Sequence, residues 1–120
     1  MSYFLDTYAM IEIVKGNENF GLFLDSESFT CVFNLYELYY ILLRDYGEVI
    51  AKRFFHHFKD QCLKIKDENL FEASEFRLKN IKKNLSYTDC LGYIMALSYG
   101  LKFLTGDKEF ENLEGVEFVK

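Results

Sequence analysis

Short apolar runs alternate with helical segments along the whole chain, and this alternation restricts the possible fold more than any other feature. Five runs are predicted to form strands, at residues 3–5, 29–33, 62–65, 103–104 and 115–119. Strands that are joined through helices favour a mainly parallel sheet with helices on both faces. The sequence therefore predicts an α/β fold, a three-layer α/β/α sandwich around a short, mainly parallel sheet of four or five strands.

The segments between these runs carry apolar side chains at helical spacing. Six helices are predicted, at residues 7–16, 18–24, 34–47, 48–60, 67–84 and 86–100. Gly16, Gly47 and Gly100 mark the ends of three of these helices. The chain has 120 residues, of which 50% are hydrophobic, so we expect residues 1–120 to form a single domain around one core.

The stretch from residue 86 to residue 110 places two acids around one helix and one strand. Ser86 and Asp89 open the helix, and apolar residues then follow at helical spacing as far as Gly100. The next apolar run ends in Thr105 and, two residues later, Asp107. One carboxylate therefore lies at the start of a helix and another at the carboxyl end of a strand.

Four acids in the chain follow predicted strands or open predicted helices. They are Asp6, Glu37, Asp89 and Asp107. Each position also suits an acid that caps a helix: the first and last as N-caps, and the other two as partners of Asn34 and Ser86 in capping boxes. Considered one at a time, capping is the expected role of each acid.

The joint placement of these acids favours a second role. The carboxyl ends of parallel strands lie along one edge of a sheet, where ligands usually bind, so the four carboxylates are expected to converge. Carboxylates that lie together repel one another and take up protons, and a divalent cation relieves that repulsion. Ligands that are all oxygen suit Mg²⁺ or Mn²⁺ rather than zinc.

These residues resemble the pattern of PIN-domain ribonucleases, in particular the small toxins of toxin–antitoxin pairs. The resemblance runs from Asp6 with Thr7 to the carboxyl-terminal half, where the matching residues are Ser86, Asp89, Ala96, Thr105, Asp107 and Phe110. It implies that the metal ligands and catalytic acids are Asp6, Glu37, Asp89 and Asp107. It also implies that Thr7 and Thr105 support them.

The resemblance further implies an activity and a set of partners. An enzyme of this kind is a divalent-metal-dependent endoribonuclease that hydrolyses phosphodiester bonds in single-stranded or looped RNA. A toxin of this type is paired with a cognate antitoxin that covers the acidic groove, and it usually forms a homodimer. RNA, an antitoxin and a second copy of the chain are therefore the expected partners.

The charge of the chain gives a weaker indication about nucleic acid. The net charge of −5 argues against a protein that neutralises many phosphates. A local group of basic residues precedes Asp89 and is predicted to meet the RNA backbone at the rim of the site; it consists of Arg77, Lys79, Lys82 and Lys83. The alternative is a solvated helix face, which is the commoner meaning of such a run.

The cysteines and the absence of a long apolar segment indicate the cellular compartment of the protein. Its three cysteines, Cys31, Cys62 and Cys90, lack the paired spacing of a zinc site, and their odd number favours reduced thiols in the core. No charge-free segment is long enough to span a bilayer, so we expect a cytoplasmic protein without membrane contact.

His56 and His57 could suggest a metal ligand or a general base. They are adjacent on a predicted helix and cannot both face one site, so a surface or core role is expected.

A non-catalytic α/β domain remains an alternative, either a Mg²⁺-binding signalling domain or an RNA-binding scaffold. A phospho-acceptor receiver domain would carry an acidic pair after the first strand and a lysine at the end of a late strand. Here Asp6 is followed by Thr7, and the late strand ends in Thr105. A phosphatase of the haloacid type would need a second aspartate at the position of Tyr8.

Overall fold

The computed structural model describes residues 1–23 and 26–120, and within them the chain folds into a four-stranded sheet covered by helices. The strands are β1 (Ser2–Leu5), β2 (Glu27–Phe29), β3 (Lys102–Thr105) and β4 (Val116–Phe118). The helices are α1 (Thr7–Val14), α2 (Glu18–Gly21), α3 (Val32–Tyr46), α4 (Glu48–Lys59), α5 (Asp67–Lys79) and α6 (Tyr87–Ser98), with a 3-10 helix at Lys108–Phe110. This architecture confirms the predicted α/β sandwich.

The four strands run parallel in the order β2-β1-β3-β4. The two central strands pair in a register that sets Phe4 beside Phe103. Because β1 and β3 are neighbours, the residues that follow them, Asp6 and Gly106, leave the sheet at the same edge. The sheet order therefore brings together two segments that are about a hundred residues apart in sequence.

Side chains alternate between the two faces of the sheet, and each face has its own apolar core. Tyr3, Leu5 and Leu104 pack with α1, α2, α3 and α4 on one face. Phe4 and Phe103 pack with α5, α6 and the 3-10 helix on the other. Three layers result, with the most deeply buried strands in the middle.

The second predicted strand is wrong in its position. The sequence predicts residues 29–33 as a strand, but β2 ends at Phe29 and α3 already begins at Val32. Cys31 has extended backbone angles and serves as the N-cap of α3, with no side-chain capping bond. Val32 and Phe33 are 53% and 46% exposed, so the last two residues of the run lie on the outer side of a helix instead of in the sheet, while Cys31 is buried.

The third predicted strand, at residues 62–65, is absent from the part of the chain that the structure describes. A single parallel bridge joins Thr30 to Cys62. Leu63 and Ile65 use their side chains to cover the core of α5 and α6. These apolar residues therefore close the core without extending the sheet.

Helix boundaries also differ from the prediction at three places. The helix predicted at 67–84 ends at Lys79, where the backbone N–H of Asn80 bonds the carbonyls of Phe76 and Arg77. The helix predicted at 18–24 ends at Gly21, and its last predicted residue, Leu24, lies outside the described residues. Asn34 is predicted to open the third helix, but it is the third residue of α3, which begins at Val32.

None of the helices in the described ranges has both the length and the apolar character needed to cross a membrane.

Candidate active site

The four predicted acids lie around the carboxyl ends of β1 and β3. Asp6 directly follows β1, Asp107 lies two residues past β3, Asp89 is in the first turn of α6, and Glu37 is in the second turn of α3. Hydrogen bonds link Thr105 to Asp6 and to the Asp107 backbone, and Thr7, next to Asp6, to Glu37. Burial is the main cause that raises the pKa values of Asp6 and Asp89, and the charges of the neighbouring acids add to it. The fold therefore brings all four carboxylates to the same edge of the sheet.

Asp6 is the buried member of this group, with 4% of its surface exposed. Its Oδ1 accepts a hydrogen bond from the Ala9 N–H at 2.8 Å, which makes Asp6 the N-cap of α1. Its Oδ2 accepts one from the Thr105 hydroxyl at 2.5 Å. Burial raises the pKa of Asp6 to about 7, against the effect of both hydrogen bonds, and its acidic neighbours raise it further.

Thr105 connects the acids of the two central strands. Its side chain is fully buried at the end of β3, and its hydroxyl donates to Asp6 while accepting from the Asp107 N–H at 3.0 Å. Asp107 in turn caps the 3-10 helix through a bond from the Glu109 N–H to Oδ1 at 3.0 Å. One hydroxyl thus sets the positions of two carboxylates.

Asp89 is held by the capping box that the sequence predicts. Its Oδ2 accepts from the Ser86 N–H at 2.9 Å, and its own N–H donates to the Ser86 hydroxyl at 3.1 Å. Burial is the main reason that the pKa of Asp89 is raised. Gly92, one turn later, lets α6 lie close to the sheet, because a Cβ there would be 3.0 Å from the Phe4 ring.

Glu37 has a different partner from the one the sequence suggests. The capping box of Asn34 and Glu37 does not form, because α3 begins at Val32. The Thr7 hydroxyl donates to Glu37 Oε1 at 2.7 Å, and Asn34 Nδ2 donates to the Thr7 oxygen at 3.1 Å. Glu37 is therefore tied to the start of α1, next to Asp6.

Asn34 is a positioning residue, and not the partner of Glu37 in a capping box that the sequence predicts. It is 2% exposed, and its Oδ1 accepts from the Cys31 thiol at 3.2 Å while its amide holds Thr7. Its spacing from Leu38 and Leu42 places all three on the buried face of α3. A polar residue in register with that apolar stripe is the signal that indicates its buried role.

The basic residues predicted for the rim occupy separate places. Arg77 is half-buried, with its guanidinium carbon 4.2 Å from the centre of the Tyr87 ring. Lys83 is exposed, and its Nζ lies 3.4 Å from the carbonyl oxygen of Glu109 in the 3-10 helix. Lys79 and Lys82 are exposed as well. None of the four forms an ion pair with the acids among the described residues.

The donor set fits a hard divalent cation. All four acids supply oxygen, and no lysine, arginine or histidine of the described chain pairs with any of them. Within residues 1–23 and 26–120, however, no three acidic, thiol or imidazole side chains close around a common point. The arrangement is an open group of uncompensated carboxylates, whose mutual repulsion a cation would offset.

Comparisons with known proteins agree with this geometry. The family model of the PIN domain matches residues 3–116. None of the curated protein sequences matches the chain significantly.

Among solved structures, VapC20 of Mycobacterium tuberculosis, described as a sarcin-ricin loop cleaving toxin, superposes with a TM-score of 0.81 at 16% identity, covering 98% of this chain and 99% of that one. VapBC2 of Rickettsia felis, bound to a DNA fragment from its promoter, gives a TM-score of 0.78 at 17% identity with full coverage of both chains. DNA-bound VapBC of Salmonella typhimurium gives 0.75 at 20% identity, covering 98% and 96%. At these identities the likeness is one of fold.

Proposed function

This chain belongs to the PIN-domain family, and from that premise we propose that it is a divalent-metal-dependent endoribonuclease that acts as the toxin of a toxin–antitoxin pair. The observation that supports the proposal is that Asp6, Glu37, Asp89 and Asp107 lie around the carboxyl ends of β1 and β3 without a basic partner in the described chain. Structural caps would not need to share one location. Carboxylates that repel one another at a ligand-binding edge suit metal-assisted chemistry on a phosphodiester.

Each acid has a defined task in this proposal. Asp6, Asp89 and Asp107 would hold Mg²⁺ or Mn²⁺, with Glu37 beside them. When bound, the ion lowers the pKa of a water molecule and stabilises negative charge at the phosphate. Thr105 fixes Asp6 and the Asp107 backbone through its hydroxyl. Thr7 fixes Glu37, and the capping box fixes Asp89. The side chains are thereby oriented before substrate arrives, which lowers the cost of assembling the site.

The test is cleavage of a fluorogenic single-stranded RNA with Mn²⁺ or Mg²⁺ and with a chelator. We expect metal-dependent cleavage by the native chain and at least a hundredfold loss in Asp6→Asn and in Asp89→Asn, because each change removes a charged ligand. The matched control is Asp45→Asn, an exposed acid on α3 that pairs with Arg44 and should leave cleavage unchanged. Full cleavage by either site variant, with folding checked by circular dichroism, would refute the assignment.

Looped RNA is the substrate class to examine first. One structural neighbour is described as a toxin that cleaves the sarcin-ricin loop. We propose that the present chain also cuts RNA at unpaired nucleotides, in the cytoplasm. Comparing a stem-loop with its fully paired duplex counterpart in the same assay shows whether cleavage requires unpaired nucleotides.

An antitoxin and a second copy of the chain are the proposed protein partners. The neighbouring structures include a toxin-antitoxin complex from Klebsiella pneumoniae and two VapBC complexes on DNA. A cognate antitoxin would cover the acids and suppress cleavage. Light scattering of the purified chain tests the homodimer, and inhibition of cleavage by the co-expressed antitoxin tests the pair.

The non-catalytic alternative keeps one observation in its favour. No three metal-binding side chains of the described residues form a closed site. A scaffold would bind RNA or Mg²⁺ and leave the RNA intact. RNA binding with no metal-dependent product, measured in the same assay, would select this alternative.

A further inference from the structure

A cavity of about 170 Å³ lies between α3, α5 and α6, beside the turn that carries Asp89. Its lining is mostly apolar, with a cation and hydroxyls at one side; it includes Phe33, Leu70, Ala73, Arg77, Tyr87 and Thr88. Cavities of about 150 Å³ are known to hold one benzene-sized ring. The space therefore admits a single ring system and is too small for a folded segment.

An exposed aromatic side chain is held in place at this cavity. Tyr87 is 78% exposed, yet the Arg77 guanidinium carbon lies 4.2 Å from the centre of its ring. The Arg77 Nε is shielded from solvent and finds no acceptor among the described residues. Phe33, on another wall, is 46% exposed. Two aromatic rings, and a guanidinium whose Nε has no hydrogen-bond acceptor among the described residues, thus border one ring-sized space.

We propose that this cavity, with the stacked pair of Tyr87 and Arg77, binds one unstacked base of the RNA substrate; the inference rests on the proposed ribonuclease function. Bases of single-stranded RNA stack on aromatic and guanidinium planes, and each such stack contributes substantially to binding. The positive charge of Arg77 suits a ligand that carries phosphates, on a chain whose net charge is −5.

The position of the cavity relates base binding to cleavage. Tyr87 and Thr88 line the cavity, and Asp89, the next residue, belongs to the acidic group. None of the four acids lines the cavity, so the backbone of a nucleotide whose base is bound here would have to extend along the first turn of α6 to reach Asp89. In a duplex the faces of each base are covered by its neighbours, so only RNA with an unpaired, unstacked nucleotide satisfies the site. The cavity thereby selects single-stranded or looped RNA.

The test measures RNA binding separately from cleavage. A short dye-labelled single-stranded RNA is titrated with the protein in chelator and followed by fluorescence anisotropy. Tyr87→Ala is expected to weaken binding about tenfold or more, and Tyr87→Phe to retain it, because stacking needs the ring and not the hydroxyl. The matched control is Tyr46→Ala, an exposed tyrosine at the far end of α3 that does not line the cavity.

A series of RNAs, each lacking one base, makes the test specific. At one position the missing base should weaken binding to the native chain by a similar factor and leave binding to Tyr87→Ala unchanged, because both changes remove the same stack. If Tyr87→Ala fails to fold, Phe33→Ala replaces it in the same series with the same expectation.

Three outcomes decide the matter. Unchanged affinity in the cavity variants overturns the proposal. A shift in oligomeric state of Tyr87→Ala, seen by light scattering, with no dependence on the missing base, also overturns it, because the cavity would then be a protein interface. Base-specific binding by a native chain that never cuts RNA with Mn²⁺ supports the cavity assignment and refutes the nuclease function alone.

Discussion

Asp6 shows how a single residue can be costly to the fold and useful to the site. Burial and the charges of Asp89 and Asp107 raise the pKa of Asp6 to about 7 from its ordinary 3.8. The folded protein therefore binds this proton more tightly than the unfolded chain does. The stability that protonated Asp6 contributes is fully present below the unfolded pKa and is lost as pH rises through about 7.

We expect the native chain, without divalent cations, to lose stability relative to Asp6→Asn as pH rises from about 4 to about 7. The difference in unfolding free energy should reach roughly 4 kcal/mol at most, because each unit of pKa shift corresponds to about 1.4 kcal/mol. Urea unfolding across this pH range measures it. The control Asp45→Asn alters an exposed ion pair and should follow the native curve in this window. Parallel curves for Asp6→Asn and the native chain would contradict the assigned environment.

At the scale of elements, the carboxyl end of β3 is where three parts of the chain meet. Thr105 and Asp107 lie on either side of Gly106, which is buried against the Tyr8 ring of α1 and the backbone that follows β4. A Cβ at residue 106 would be 2.5 Å from the carbonyl oxygen of Val119. Backbone cannot yield as a flexible side chain can, so the turn that positions two site residues requires a glycine.

Gly106→Ala is therefore expected to destabilise the protein by about 1–3 kcal/mol through overpacking and to reduce cleavage, because Thr105 and Asp107 would move. Thermal unfolding and the RNA assay check both effects. Gly21→Ala is the matched control: an added Cβ would meet no atom within 4 Å apart from its chain neighbours and the backbone of its own helix, and alanine favours the helix α2. Equal melting temperatures for Gly106→Ala and the native chain would show that the turn relaxes freely.

At the scale of the whole molecule, the acidic edge concentrates negative charge that the fold offsets only in part. The amino-terminal ends of α1 and α6 carry Asp6 and Asp89, and helix dipoles stabilise anions at such ends. No basic side chain of the described residues completes the compensation. Binding of a cation to the folded state would add stability by mass action.

We expect Mn²⁺ or Mg²⁺ to raise the melting temperature of the native chain. At an ion concentration a hundred times the dissociation constant, the free energy of unfolding should rise by about 2.7 kcal/mol. The gain should grow with pH up to about 7, because protons compete for Asp6. Differential scanning calorimetry at matched ionic strength measures it, with Asp45→Asn as the control that keeps the effect. An equal shift in Asp6→Asn or Asp89→Asn would place the cation elsewhere.

Much of this site is specified by short stretches of sequence. β1 with Asp6, the capping box of Ser86 and Asp89, and β3 with Thr105 and Asp107 are all found where the sequence predicts them. The helix caps among them rest on contacts between residues that are close in the chain, as between Asp6 and Ala9 or Ser86 and Asp89. Local patterns suffice for such features, because turn and capping preferences act over only a few residues.

Tertiary packing decided the rest. The apolar run at 29–33 satisfies the pattern of a strand, but its fate depends on what covers it, and α3 begins within it at Val32. Glu37 acquires its partner from Thr7, thirty residues away, through Asn34 on the buried face of α3. The sequence by itself determined that Asp6 and Asp107 follow strands and that Asp89 begins a helix. Only the folded chain decided which of them share a space, because that depends on strand order and helix packing, which bring distant residues together at one edge.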